Sequence, residues 1–459
     1  MATRYSLSLY TFRRDLRLED NTALISALEQ SDQVIPLFIF DPVLLPPKNS
    51  NRNALQFMIE SLKELTTILE RNNAKLYLAH GYPHKVIQQI TDALSIDAIF
   101  ANKDYSPYSR TRKKKLETVA NTHNIDYLEY SDYVLVNPES IYTNTGGRYS
   151  VFTYFFKKAI NTEQIKSPQS NTHQNYFTDD QISANAAYLD QFSPKPNPEL
   201  FIHGGRTNGL DILKQIPNLS DYQSNRDYPA EDATSHLSAH HKFGTISIRE
   251  SYQNILEKLG KDHELIRQLF WRDFYIYLAV HYNHVFHRSF QKKYDKINWS
   301  DNKEAFQRWC EGRTGFPIVD AGMRQLNQTG YMHNRVRMIV ASFLVKDLHL
   351  NWQWGEQYFA EKLVDYDIMV NNGNWQWAAS TGADAQPYFR IFNPWSQQEK
   401  YDKQAKYIKE YIPELADMPA KGIHRLHTQR PLGLEDYPTP IVNHKEEAKK
   451  AKAIFKSVV

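Results

Sequence analysis

Thiols, long apolar runs and phosphate-binding glycine motifs are what this sequence has least of. Cys310 is the one cysteine in 459 residues, so neither an intramolecular disulfide nor a thiolate metal cluster can form. A reducing cytoplasm is the expected setting. No uncharged apolar stretch approaches the length of a membrane span. The N-terminus, Met1-Ala2-Thr3-Arg4-Tyr5, runs into an alternating strand without the apolar core of a secretion signal. Neither G-x-G-x-x-G nor G-x-x-x-x-G-K-S/T occurs, which argues against an ordinary NAD or P-loop site. H-E-x-x-H is missing too, so His236, His240 and His241 read as capping or surface histidines rather than metal ligands. Charge bias is slight: 55 Lys and Arg against 52 Asp and Glu leave a net +3. A nucleic-acid partner would need the basic residues gathered on one face.

What is there points to two domains. The length exceeds one ordinary core, and rings make up 13% of the residues, enough for stacking surfaces as well as a core. Short apolar segments at 5–10, 34–40, 75–78, 98–100 and 125–128 read as strands, with helical patterns between them. Leu55, Met58, Ile59, Leu62, Leu65 and Leu69 share one helical face, and Pro83 suits a first helical turn. This alternation predicts a parallel sheet covered by helices over 1–130. Residues 131–199 are read as an interdomain linker, loosest from 161 and ending in Ser193-Pro194-Lys195-Pro196-Asn197-Pro198. From 200 to 459 helical periodicity dominates, at 265–280, 320–328, 335–348 and 354–364, with a Lys-rich surface helix at 443–459. The fold class is therefore α/β plus all-α: a Rossmann-like sheet domain without the dinucleotide fingerprint, and a helical domain.

Four segments of the helical half carry chemistry. Thr234-Ser235-His236-Leu237-Ser238, with Tyr222 upstream, offers hydroxyls to a phosphate, though a plain N-cap explains it as well. Gln268, Trp271, Arg272 and Tyr275 recur at i, i+3, i+4 and i+7; the stripe reads equally as the wall of a polar cavity or as interdomain packing. Tyr331-Met332-His333-Asn334-Arg335-Val336-Arg337-Met338 brings arginines that require anionic partners if buried, and Asp365 and Asp367 are available. Asn371-Asn372-Gly373-Asn374-Trp375-Gln376-Trp377-Ala378-Ala379-Ser380-Thr381-Gly382 suits close backbone approach to a ligand, or a structural turn followed by interface rings.

Together, from Phe12-Arg13-Arg14-Asp15-Leu16-Arg17-Leu18-Glu19-Asp20-Asn21 to Tyr388-Phe389-Arg390-Ile391-Phe392-Asn393-Pro394, these strings resemble the DNA photolyase/cryptochrome family, and within it the class I cyclobutane pyrimidine dimer photolyases. The resemblance implies an N-terminal antenna domain and a helical domain holding FAD. It places Tyr222 and Thr234, Ser235, His236, Leu237 and Ser238 at the FAD phosphates, His236 standing where the family usually has Arg. Asp365, Tyr366 and Asp367 fall at the ribose and flavin, with Arg337 as ion partner of the carboxylates and Arg272 bordering cofactor and substrate. Asn371 matches the neutral residue beside flavin N5, which favours the reduced flavin needed for repair.

Gln268, Trp271, Arg272, Tyr275, Asn334, Arg335, Met338 and Trp377 match the pocket for a flipped dimer, Gln268 replacing the common Glu. Arg390 and Gln397 match DNA-backbone contacts. Trp299, Trp352 and Trp375 match an electron relay to the flavin, while Tyr331 replaces a Trp outside that relay. In the antenna domain Tyr108 and Ser109 depart from the folate-type pattern, whereas Arg14, Phe38, Asp41 and Asp104 resemble a deazaflavin-type pocket for a second chromophore. The implied activity is light-driven repair of dimers in double- or single-stranded DNA by a monomer without an obligate protein partner. A cryptochrome-like photoreceptor and an electron-transfer flavoprotein are the competing readings.

Overall fold

The computed structural model describes residues 3–45, 51–162, 165–179 and 185–458. The expected features at Met1, Ala2 and Val459, and the linker positions 163–164 and 180–184, lie outside them.

Five strands form one parallel sheet: β1 (Tyr5–Phe12), β2 (Ser31–Phe40), β3 (Tyr77–His80), β4 (Ala98–Asn102) and β5 (Asp126–Tyr130), in the order β3-β2-β1-β4-β5. Both faces are covered, which is why β2 reads as a nearly continuous apolar run from Val34, while β1 alternates and yet buries Ser8 and Thr11 as well as its apolar residues. Leu9, Ile35, Leu37 and Ile99 enter one layer; Tyr10, Val34, Phe38 and Phe100 enter the other. Crossover helices start where the sequence supplies caps. Asn21 and Asn51 accept the amides of Leu24 and Ala54, and Pro83 and Pro107 occupy first turns.

The second domain is helical as expected. The periodic segments become Glu264–His281, Pro317–Thr329, Asn334–Lys346 and Trp352–Lys362, joined by Ile368–Ala379 and the C-terminal helix His444–Lys456. Asp367 opens Ile368–Ala379 by accepting the amides of Met369 and Val370. Gly373 permits the crossing with Glu264–His281: a Cβ there would lie 2.1 Å from a ring carbon of Tyr275.

The stretch 131–199 departs from a free tether. Tyr133 and Val134 are buried with Ile276 and Met369. Helix Phe152–Thr162 sets Phe152, Phe155 and Ala159 into the helical core, and Tyr176 bridges to Val34 beside β2. Phe156 and Ile160 pack beside the helix's buried residues and Lys157 and Lys158 occupy the outside, so this part of 131–199 is a helix with its apolar residues at helical spacing, and the polar character of the presumed linker begins only beyond it.

A buried ionic network locks the two domains together. The Asp132 carboxylate receives Arg17 and Arg249, each at 2.7 Å, and Arg249 also reaches Asp20 at 3.0 Å. Burial alone would raise Asp132, but the two guanidinium groups hold it well below the usual carboxylate range.

Candidate active site

A cavity of about 310 Å³ opens in the helical domain. One wall is the loop Thr234–Ser238, with Tyr222. The others come from Glu264–His281 (Gln268, Leu269, Arg272), Asn334–Lys346 (Asn334, Arg337, Met338), the turn Asp365–Asp367, and Ile368–Ala379 (Asn371, Asn374, Trp375, Trp377). Most residues singled out in the sequence meet here.

Arg272 is central. One guanidinium nitrogen donates to the Tyr133 carbonyl at 2.8 Å, and the group lies 4.1 Å over the Tyr133 ring. The other, Nη2, is buried with no hydrogen-bond partner. The guanidinium also pairs with the buried Asp273 carboxylate at 3.3 Å, so its charge is met inside the chain, and Nη2 is the donor on this wall that is left without a partner, at a cost a bound acceptor would relieve.

Asp365 is held by Arg337 in a two-pronged pair at 3.2 and 2.9 Å. Asp367 corrects an expectation, since its partner is not Arg337. It receives Arg14 at 2.9 Å and the Tyr133 hydroxyl at 2.6 Å. Burial would raise its pKa, yet Arg14, Lys242 and Tyr133 prevail and bring it down to about 2. The Asn371 amide nitrogen donates to the Glu356 carbonyl at 3.1 Å, which leaves the amide oxygen as the acceptor on offer. Asn372 donates to the Glu356 carboxylate at 2.8 Å, and burial pushes that carboxyl up to about 7. Trp375 lies flat on Trp352–Lys362, where a Cβ on Gly355 would come within 2.1 Å of its indole.

His236 stands on the cavity wall with a positive φ of 51°. It pairs with Asp232 at 2.5 Å and packs edge-on to Phe201 and Tyr331, which stack on each other at 4.7 Å. At the outer end, Asn334 approaches the Met338 sulfur at 3.8 Å, and Gln268 donates to Glu264 at 2.8 Å.

Three expected dimer-pocket residues do not line the cavity. Trp271 stacks on Phe152, with centroids 3.7 Å apart and planes at 9°. Tyr275 is buried beneath Gly373. Arg335 pairs with Asp227 at 2.6 Å and lies over the Tyr401 ring. Only the i, i+4 members of the stripe, Gln268 and Arg272, face inward. Arg390 is exposed on a loop and Gln397 is half-buried on Pro394–Tyr401. Trp352 is buried at the start of Trp352–Lys362 and Trp299 sits beside Phe455 on the C-terminal helix; neither lines the cavity. Reading the sequence missed Tyr133, Lys242 and Glu356. Tyr133 fell in the presumed linker, and the other two reveal themselves only through burial.

A second cavity of about 520 Å³ lies at the carboxyl ends of β1, β2 and β4, where parallel sheets place ligands beside the reversal in strand order. Arg14, Phe38, Asp41 and Asp104 all line it. Asp104 faces Arg14 at 3.8 Å and Arg112 at 3.1 Å, and Tyr108 donates to Asp41. Lys242 and Tyr366 border both cavities; burial, with Arg14 nearby, brings the Lys242 ammonium down to about 7. Among the described residues no cluster of three or more His, Cys, Asp or Glu is arranged to hold a metal, and no helix is long and apolar enough to cross a membrane.

A doubly covered parallel sheet, joined to a helical domain with an open arginine facing a ring-lined cavity, defines a two-domain cofactor-binding protein. Comparison with known proteins makes this specific: residues 8–172 match DNA photolyase and 265–457 match the FAD binding domain of DNA photolyase, so the chain belongs to the DNA photolyase family. The deoxyribodipyrimidine photo-lyase of Halobacterium salinarum is 37% identical, covering 98% of each chain. Among solved structures, an archaeal photolyase from Sulfolobus tokodaii with two FAD molecules matches with TM-score 0.89 and 42% identity over 98% of this chain and 100% of that one. A bacterial class III photolyase from Agrobacterium tumefaciens matches with TM-score 0.91 and 32% identity over 100% and 98%. A cryptochrome from Synechocystis matches with TM-score 0.89 and 28% identity over 99% and 100%.

Proposed function

We infer that this protein repairs cyclobutane pyrimidine dimers in DNA with light, as a class I enzyme of its family, working as a monomer in the cytoplasm. The observation that carries the reading is the unpartnered Nη2 of Arg272 in a cavity that also presents Trp375, Trp377 and Asn371. These residues fit FAD. Arg272 and the hydroxyls of Thr234, Ser235 and Ser238 would meet its phosphates, while Asp365, Tyr366 and Asp367 border the ribose and ring system. Bound, reduced and excited, FAD supplies one electron to the dimer and recovers it after the ring opens.

The chain's own residues set the conditions for that chemistry. Asn371, anchored through its nitrogen, has only a neutral amide to present and no acidic proton to give. Trp377, Met338, Asn334 and Gln268 offer the flat and polar surface against which extruded bases rest; stacking of this kind contributes roughly 1–3 kcal/mol per base. Gln268 hydrogen-bonds but cannot act as an acid. Arg390 and Gln397 are read as contacts to the DNA backbone, Arg390 as one of the cations through which binding weakens with salt. Trp375, with Trp352 and Trp299, forms the relay that reduces the oxidised cofactor.

The second cavity takes an antenna of flavin class. Its size, the Arg14–Asp104–Arg112 pairing and Tyr108 in place of the folate-type Asn support a deazaflavin or flavin rather than a folate, as does the second FAD of the Sulfolobus relative.

Irradiating a thymine-dimer oligonucleotide with the reduced holoprotein tests the reading. Light-dependent recovery of the thymines is expected; binding of flavin without any recovery would make the protein a photoreceptor instead. Trp375→Phe is expected to block photoreduction of the oxidised holoprotein, followed as loss of flavin bleaching under light.

A further inference from the structure

The rings around Trp375 suggest a second way out for an electron hole. Phe359 lies 4.9 Å from Trp375, and Trp309 lies 6.2 Å from it with planes at 68°. Among the described residues, no centroid contact of 6.2 Å or less joins Trp375 to Trp352. Trp309 is fully buried, and its indole N–H donates to the Val340 carbonyl at 3.1 Å. From Trp309 the rings continue to Phe306 at 5.9 Å and then to Trp354 at 5.2 Å. Trp354 is half-buried and reaches solvent. Trp352 and Trp354 are two residues apart on one helix, so their side chains leave it in different directions.

We propose that Trp309 and Trp354 form a second branch of the electron relay, diverging at Trp375 and reaching the surface at Trp354. The proposal rests on the relay reading of Trp375 given above. An electron passes from Trp375 to the photoexcited oxidised flavin, leaving a hole on Trp375. Trp309 fills that hole, and Trp354 fills the hole on Trp309 through Phe306, which lies nearly parallel to Trp309 and edge-on to Trp354. A small thiol in solution then gives one electron to Trp354 and is oxidised.

Two features favour this course. The Trp309 N–H faces a carbonyl, which steadies a positive indole but cannot take its proton, so the hole stays mobile. Tyr358, 5.8 Å from Trp309, is the other route outward. Its phenol donates only to the Asn327 side-chain oxygen at 2.6 Å and the Cys310 carbonyl at 3.1 Å. A phenol must release its proton as it is oxidised, whereas an indole can carry the hole with its proton in place, so the exit falls to Trp354.

The test compares holoproteins of equal FAD content and melting midpoint. Trp375→Phe, Trp352→Phe, and Trp352→Phe combined with either Trp309→Phe or Trp354→Phe are illuminated with a thiol. Flavin bleaching and the transient radical spectrum are followed. Illumination without thiol, followed by mass spectrometry, maps oxidised tryptophans. Trp352→Phe is expected to keep a slow photoreduction that Trp375→Phe lacks, and adding Trp354→Phe should lower it about tenfold, with oxidation in Trp352→Phe concentrated at Trp354. Trp354→Phe is the safer second change, because Trp309 sits in the core. If Trp375→Phe still photoreduces, the relay itself is wrong and the branch falls with it. If Trp375→Phe is silent and Trp352→Phe equally silent, the relay stands and the branch is refuted. Residual photoreduction indifferent to Trp354→Phe, with no oxidation at Trp354, also refutes it.

Discussion

Two arginines at the seam between sheet and helices, Arg249 buried and Arg272 half-buried, have different surroundings. Around Arg249 every donor nitrogen is used: Nε on Asp20, Nη1 on the Asp132 carbonyl, Nη2 on the Asp132 carboxylate and the Asp20 carbonyl. Around Arg272, Nη1 is used by the Tyr133 carbonyl and Asp273, and Nη2 is buried at the cavity wall without a partner. The first arrangement is complete within the protein and fastens the domains. The second is complete only when something enters. Identical chemistry thus separates architecture from function by whether the hydrogen-bond requirement is met inside the chain.

The largest effect is expected from breaking the complete cluster. Arg249→Met leaves Asp20 and Asp132 buried with Arg17 as the remaining cation, and should destabilise the protein by about 3–5 kcal/mol in denaturant unfolding. Should the loss fall below about 1 kcal/mol, the network is not what holds the domains.

The contrast sharpens at the two tryptophans once grouped together. Trp271→Ala removes a ring stacked on Phe152 and should lower stability by about 3 kcal/mol, with little change in affinity for dimer-containing DNA. Trp377→Ala should do the reverse, weakening that affinity by roughly 1–3 kcal/mol while the melting midpoint stays put. Binding isotherms and melting curves together decide; a swap of the two phenotypes would reassign the lesion wall.

A pH-dependent effect concerns the wall behind Asn371. Glu356 is raised to about 7 in the folded chain, against about 4.3 when unfolded. Between those values the folded state holds a proton that the unfolded state has released, so this group's contribution to stability falls as pH rises from about 4 to 7. Glu356→Gln should remove that slope, leaving the variant more stable than the parent by about 3–4 kcal/mol above pH 7 and no different below pH 4. Parallel unfolding curves at all pH values would contradict the raised carboxyl.

How legible all this was in the sequence depends on the range of the interaction. Strand-to-helix alternation is local, and all five strands and the main helices could be read from it. The Asn371–Gly382 string and the Asp365–Asp367 turn were legible as a dense local pattern of unusual residues. What escaped was set by partners far away in the chain. Asp367 is paired with Arg14, 353 positions distant, and nothing near either residue betrays it. The stripe at Gln268, Trp271, Arg272 and Tyr275 was read as one face, but a helical arc that wide is shared between two environments: Phe152 claims Trp271, and Gly373, by lacking a side chain, claims Tyr275. The helix Phe152–Thr162 escaped because the polar stretch that follows it was extended back over it, although Phe152, Phe155, Phe156, Ala159 and Ile160 recur at helical spacing.

The most direct test is flavin titration of apoprotein carrying Arg272→Met. The account predicts affinity for FAD lower by about 1.5–3 kcal/mol, or tenfold to a hundredfold and more, beyond whatever stability the apoprotein loses with the Asp273 and Tyr133 contacts of Arg272. Flavin bound as tightly as by the parent, in an apoprotein that unfolds more readily, would contradict it and make Arg272 a structural residue like Arg249.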